Sequence, residues 1–112
     1  MADPAVLYDE ADQLKASGDL EGAAAKLREA IDAEPGYALA HSAMAVVKQK
    51  LGEHEAAITH AEKVCEIEPN DAFSYTALSV TYQRAYAGTG DTGYIQKAED
   101  AMARSRQIEA GA

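Results

Sequence analysis

The sequence predicts an all-α protein made of three stacked helix–turn–helix units that form an α-α superhelix, or solenoid. Three observations carry that expectation. Landmarks recur 34 residues apart: Pro35 with Pro69, Gly18-Asp19 with Gly52-Glu53, and the pairs Ala23/Ala57, Ala30/Val64 and Glu34/Glu68. Apolar residues within each unit keep helical spacing. No window shows the strict apolar–polar alternation of a half-buried strand. The repeat is imperfect, since Leu14 and Lys48 do not correspond.

The elements follow in order. Asp3 is placed to cap a first helix, with Pro4 at the first helical position, where a missing N–H costs nothing. Leu7, Ala11 and Leu14 supply its apolar face, and Gly18 ends it, because glycine accepts the left-handed conformation of a helix C-terminus. A second helix places Ala23, Leu27, Ala30 and Ile31 on one face and stops at Pro35. The next pair spans about Tyr37 to Leu51 and about Glu53 to Glu68. A fifth helix covers Phe73–Tyr86, and a sixth starts near Tyr94, with Ile95, Ala98, Met102 and Ile108 expected to pack inward. Gln96, Lys97, Glu99, Asp100, Arg104 and Gln107 make the rest of that last helix polar enough to close the array.

Gly88-Thr89-Gly90-Asp91-Thr92-Gly93 carries the GxGxxG spacing of a dinucleotide-binding loop. Such a loop needs a preceding strand and a parallel sheet, and here a helix precedes it. Between the second and third units the first-helix offset stays at 34, but Ala57 and Ala98, like Ile67 and Ile108, are 41 apart. Seven residues are therefore inserted between the two helices of the third unit, at Ala87–Tyr94. A turn-forming or flexible insertion, with Asp91 or Thr92 capping the next helix, is the expectation. Anion binding by the loop's N–H groups is the alternative, opposed by Asp91 and by the lack of a nearby Lys. Tyr86 and Tyr94 flank the loop and are expected to pack on each other or on neighbouring helices.

Size and composition bound the function. The chain has 112 residues, enough for one domain over 1–112, and 47% of them are apolar. A net charge of −9 argues against nucleic-acid binding. Cys65 stands alone, so no internal disulfide forms, and an unpaired thiol on an apolar helix face suits a reducing, cytoplasmic setting. No run approaches the length of a membrane span, and the first residues lack the regions of a signal peptide.

These residues together resemble the tetratricopeptide repeat (TPR) family, whose unit is a 34-residue helix–turn–helix. The phase places repeats at about 4–37, 38–71 and 72–112. Leu7, His41 and Tyr75 occupy the family's large-residue position. Ala11, Ala45 and Ser79, then Ala23 and Ala57, occupy its small positions, and Pro35 and Pro69 its proline position. Glu10 and Lys48 depart from the pattern. The resemblance implies a concave groove lined by the first helix of each pair. Carried over residue by residue, that groove holds Ala5, Tyr8, Asp12, Lys15 and Ala16, then Leu39, Ser42, Val46, Gln49 and Lys50, then Phe73, Thr76, Val80, Gln83 and Arg84. Tyr8, Leu39, Val46, Phe73 and Val80 offer apolar contact, and Lys15, Lys50 and Arg84 could meet a carboxylate. Acidic residues concentrate on the first repeat and on Glu53–Glu68, which leaves the groove wall of the second and third repeats neutral to basic. The subclass that clamps chaperone C-termini is not matched, because Tyr8, Asp12, Phe73 and Ala77 stand where it needs Lys, Asn, Lys and Arg.

No constellation for catalysis emerges, so the expectation is a protein that is not an enzyme and uses no cofactor. His54 and His60 are six residues apart, on different helix faces, and do not form a metal pair. His41 is expected in the core or at the groove edge, and Cys65 as a buried structural thiol. The sequence thus predicts an adaptor or scaffold whose groove holds a peptide or helix, acidic in character, from another protein. It predicts no nucleic-acid or membrane partner and a monomer or weak homo-oligomer. The alternatives are a self-associating assembly protein and a phosphate- or nucleotide-binding protein using Gly88–Gly93.

Overall fold

The structure is a computed structural model, and it describes residues 3–111. Among these residues six helices form three antiparallel hairpins: α1 (Pro4–Ala16) with α2 (Leu20–Ala33), α3 (Ala38–Lys50) with α4 (His54–Ile67), and α5 (Ala72–Thr89) with α6 (Gly93–Gly111). No strand occurs among them. Three caps are read directly: Asp3, Asp19 and Asp71 each accept a backbone N–H of the first turn of α1, α2 and α5. Pro4 opens α1 as expected.

The hairpins stack because each buries a stripe the previous one exposes. Leu7 and Ala11 of α1 and Leu27, Ala30 and Ile31 of α2 form one cluster with Ala40, Met44 and Val47 of α3. A second cluster joins Ala45, Ile58, Ala61 and Cys65 to Leu78 and Tyr82 of α5 and to Ala98 and Ala101 of α6. Alanine at the crossings lets helices approach closely: Ala23, Ala30, Ala40, Ala57 and Ala85 are fully buried. Among the described residues the first helices touch one another, α1 with α3 and α3 with α5, whereas the second helices do not. The first-helix layer is therefore the tighter one, and it forms the inner side of the curve.

The third hairpin differs from expectation. The residues beyond the repeat length do not make a long loop. They extend α5 to 18 residues, against 13 in α3, and the connection Gly90–Thr92 is a short turn. Gly90 adopts the left-handed conformation (φ 75°) that ends α5, its N–H donating to the carbonyl of Tyr86. Asp91 Oδ1 accepts from the N–H of Gly93 at 2.9 Å, which starts α6. Gly88 lies inside α5 for a packing reason: a β-carbon there would collide with the ring of His54 at the start of α4. The glycines thus have structural duties in this hairpin. Tyr94 stacks on Tyr82, with ring centroids 6.1 Å apart, rather than on Tyr86, which stays exposed. Ile95, expected inward, is 42% exposed, and the inner face of α6 is formed by Ala98, Ala101 and Ser105. Ser79 donates across the hairpin to the carbonyl of Ala98 at 2.8 Å, so its buried hydroxyl is satisfied.

Candidate functional site: the inner cleft

Between α3 and α5, on the inner side, lies a cleft of about 480 Å³. Its rims follow helical spacing: Ser42, Val46, Gln49 and Lys50 on α3, and Phe73, Thr76, Val80 and Arg84 on α5. Ala45, Ala61 and Val64 form the floor. Small floor residues leave the depth, and the i, i+3, i+4, i+7 rows supply the walls. A smaller cleft of about 210 Å³ continues it toward α1, sharing Ser42 and Val46 and adding Tyr8, Asp12 and Lys15.

Apolar side chains are left uncovered along this surface. Phe73 is 75% exposed, Val46 42% and Val80 39%. Lys50 and Arg84 stand at the C-terminal ends of the two rims, and neither takes part in an ion pair among the described residues. The cleft therefore joins an apolar stretch to two available cations, a combination suited to a segment with an apolar anchor and a carboxylate.

Not every expected groove residue is available. Lys15 is paired within its own helix to Asp12 at 3.9 Å. Thr76 shares its hydroxyl with Ser105 of α6 at 2.8 Å, so its hydrogen bonding points away from the cleft. Gln83 donates to Ser79 at 3.2 Å and lines a different cleft, between α5 and α6. Leu39 sits outside both inner clefts, at the start of α3. Lys48, on the same helix as Lys50, pairs with Glu53 at 3.4 Å.

His41 lies buried in the core, as expected, but its partner there was not legible in the sequence. His41 and His60 face each other across the α3–α4 hairpin, both buried, with their Nδ1 atoms 3.1 Å apart. The carbonyl of Pro35, 2.9 Å from Nε2 of His41, requires the proton on that nitrogen, which leaves Nδ1 to accept from Nδ1–H of His60. Burial above all, and then His41, Arg28 and Lys48, hold His60 down at about 4. Same-helix spacing cannot find this pair, because the partners lie 19 residues apart on two helices. Among the described residues no group of three His, Cys, Asp or Glu is arranged to hold a metal ion. Cys65 is buried, its sulfur lies 3.5 Å from the carbonyl of Ser74, and burial pushes the thiol up to about 11, against reactivity. No described helix is long and apolar enough to cross a membrane.

Comparison with known proteins agrees with the fold. Residues 14–80 match the family described as Tetratricopeptide repeat, more than half of the sequence, and the chain belongs to that family. Two solved structures, described as the crystal structure of MamA and of MamA protein, superpose with TM-scores of 0.82 and 0.81 at 21% and 23% identity. The matches cover 97% and 96% of this chain but 60% and 55% of those chains, so it spans little more than half their length. No curated protein matches the sequence.

Proposed function

We propose that this tetratricopeptide repeat chain is a protein-interaction module, acting as adaptor or scaffold. Its inner cleft receives a peptide or helix with an apolar anchor beside an acidic residue. It performs no reaction of its own. The observation that carries this reading is the uncovered apolar row of Val46, Phe73 and Val80, ending at Lys50 and Arg84. Burying Phe73 alone against a partner would contribute on the order of 2 kcal/mol. A charge-assisted contact at Lys50 or Arg84 adds roughly 1 kcal/mol and orients the segment.

The test is selection of 12-residue peptides from a random display library on the full chain. Enriched sequences should place Asp or Glu within a few residues of a large apolar side chain. Replacing Lys50→Glu together with Arg84→Glu should weaken the selected peptides roughly tenfold or more, and raising salt should weaken binding to the parent. Peptides that bind the charge-reversed variant and Phe73→Ala as tightly as the parent would remove this cleft as the binding surface.

A further inference from the structure

The α1–α3 cleft and the α3–α5 cleft are successive copies of one surface. Ala11 and Ala43 in the first correspond to Ala45 and Ala77 in the second, each 34 residues on. Two places differ in bulk. Ala61 stands in the floor of the α3–α5 cleft where Leu27 fills the floor of its neighbour, and Ser42 stands on the wall where the neighbour has Tyr8. The smaller side chains deepen the α3–α5 cleft, about 480 Å³ against about 210 Å³. The charges differ as well. Lys50 and Arg84 beside the deep cleft take part in no ion pair among the described residues, whereas Asp12 and Lys15 in the shallow cleft answer one another at 3.9 Å.

We infer that the guest of the inner cleft is an extended segment of another protein that crosses α3 and seats two anchors three positions apart. A large apolar side chain with an acid beside it enters between α3 and α5, and a small apolar one enters between α1 and α3. This rests on the inner cleft being the binding surface, and it specifies what that surface selects. Unpaired cations border the deep cleft alone, so the acid belongs with the large anchor.

The spacing follows from the helices. The two clefts flank α3 and share Ser42 and Val46 on its crest. Packed helix axes lie about 8–10 Å apart, so sites on either side of one helix are separated by about that much. A polyproline-II-like backbone has three residues per turn and rises about 3.1 Å per residue, which puts side chains i and i+3 on one face about 9 Å apart. A β-strand places same-face residues at about 7 or 13 Å. A helix reaches the span only at i, i+7, about 10.5 Å, and its intervening residues would then ride on the crest and hold both anchors off the floors. Ser42 and Gln49 also offer polar partners to an extended backbone, whereas a helix has already paired its own N–H and C=O groups.

The test selects from a random 12-residue display library on the full chain and measures synthetic copies of the enriched peptides by fluorescence anisotropy. Enriched sequences should carry a large apolar residue with an acid beside it, and Ala, Val or Pro three positions away. Ala61→Leu gives the deep cleft the floor residue of the shallow one. It should weaken these peptides about tenfold or more, and trimming their large anchor to Val should erase the difference between parent and variant. Ala43→Leu fills the shallow cleft alone, at a half-buried position that tolerates change if Ala61→Leu fails to fold by circular dichroism. It should weaken the full peptides about tenfold and leave peptides with Gly at the small-anchor position unaffected. Peptides indifferent to Phe73→Ala would remove the inner cleft and this inference with it. Peptides that respond to Phe73→Ala but not to Ala43→Leu, or an enriched helical spacing of four or seven, would overturn this inference and leave the cleft standing. A doubled mass in light scattering that Phe73→Ala abolishes would also overturn it, since a second copy would then hold the cleft.

Discussion

Protonation of the buried histidine pair should set part of this protein's stability below neutral pH. His60 sits at about 4 in the fold, against an ordinary 6.5, with burial the largest cause. The fold thus favours the neutral ring, while the unfolded chain takes up a proton as pH falls through 6.5. Stability is therefore full above the unfolded value and is lost as pH drops toward the folded one. A depression of this size contributes about 3 kcal/mol in all, of which about 2 kcal/mol should be lost between pH 7 and pH 5. The assay is urea unfolding followed by circular dichroism at 222 nm, at pH 7, 6 and 5. For a slope near 2 kcal/mol/M, the midpoint of the parent should fall by about 1 M over that range. His60→Asn keeps an amide donor near the Nδ1 position facing His41 but cannot titrate, so its midpoint should fall by much less. Carboxylate effects are common to both proteins and cancel in the comparison. If parent and His60→Asn lose the same stability between pH 7 and pH 5, the buried pair is not the source, and the reasoning from its burial fails.

Two further perturbations probe the packing. Leu27, 1% exposed at the centre of the first cluster, should cost about 2–5 kcal/mol as Leu27→Ala, read as a fall in the thermal midpoint by ten degrees or more; a loss under 1 kcal/mol would mean the first two hairpins do not share a core. Gly88→Ala should gain helix propensity of roughly 1 kcal/mol but lose it to the collision with the His54 ring. In a His54→Ala background the same substitution should become stabilising, and a double-mutant cycle with no coupling would contradict the contact.

Local chemistry made most of the architecture readable, and contacts between helices account for what was not. Caps and stops are short-range: Asp3 and Pro4 start α1, Gly18 and Gly52 end α1 and α3, and the structure uses them where the spacing placed them. The inner cleft was legible for a related reason, since repeat phase fixes which face of each helix turns inward, and Val46, Phe73 and Val80 line it together. Part of what was not legible depends on what lies across from a residue. Thr76 finds Ser105 and His60 finds His41 on a neighbouring helix, and each partnership changes what the side chain is free to do. The extra residues of the third hairpin show the same limit. Their glycines read locally as a loop, yet Gly88 lies within α5, with the opposing His54 ring in the space a side chain would take. A glycine inside a helix costs about 1 kcal/mol relative to alanine, so its presence there points to a neighbour rather than to a turn. The depth of the inner cleft extends this logic: Ala61 looks like one more small residue on α4 alone, and only its registry with Leu27 marks it as the place where the fold leaves room for a guest's side chain.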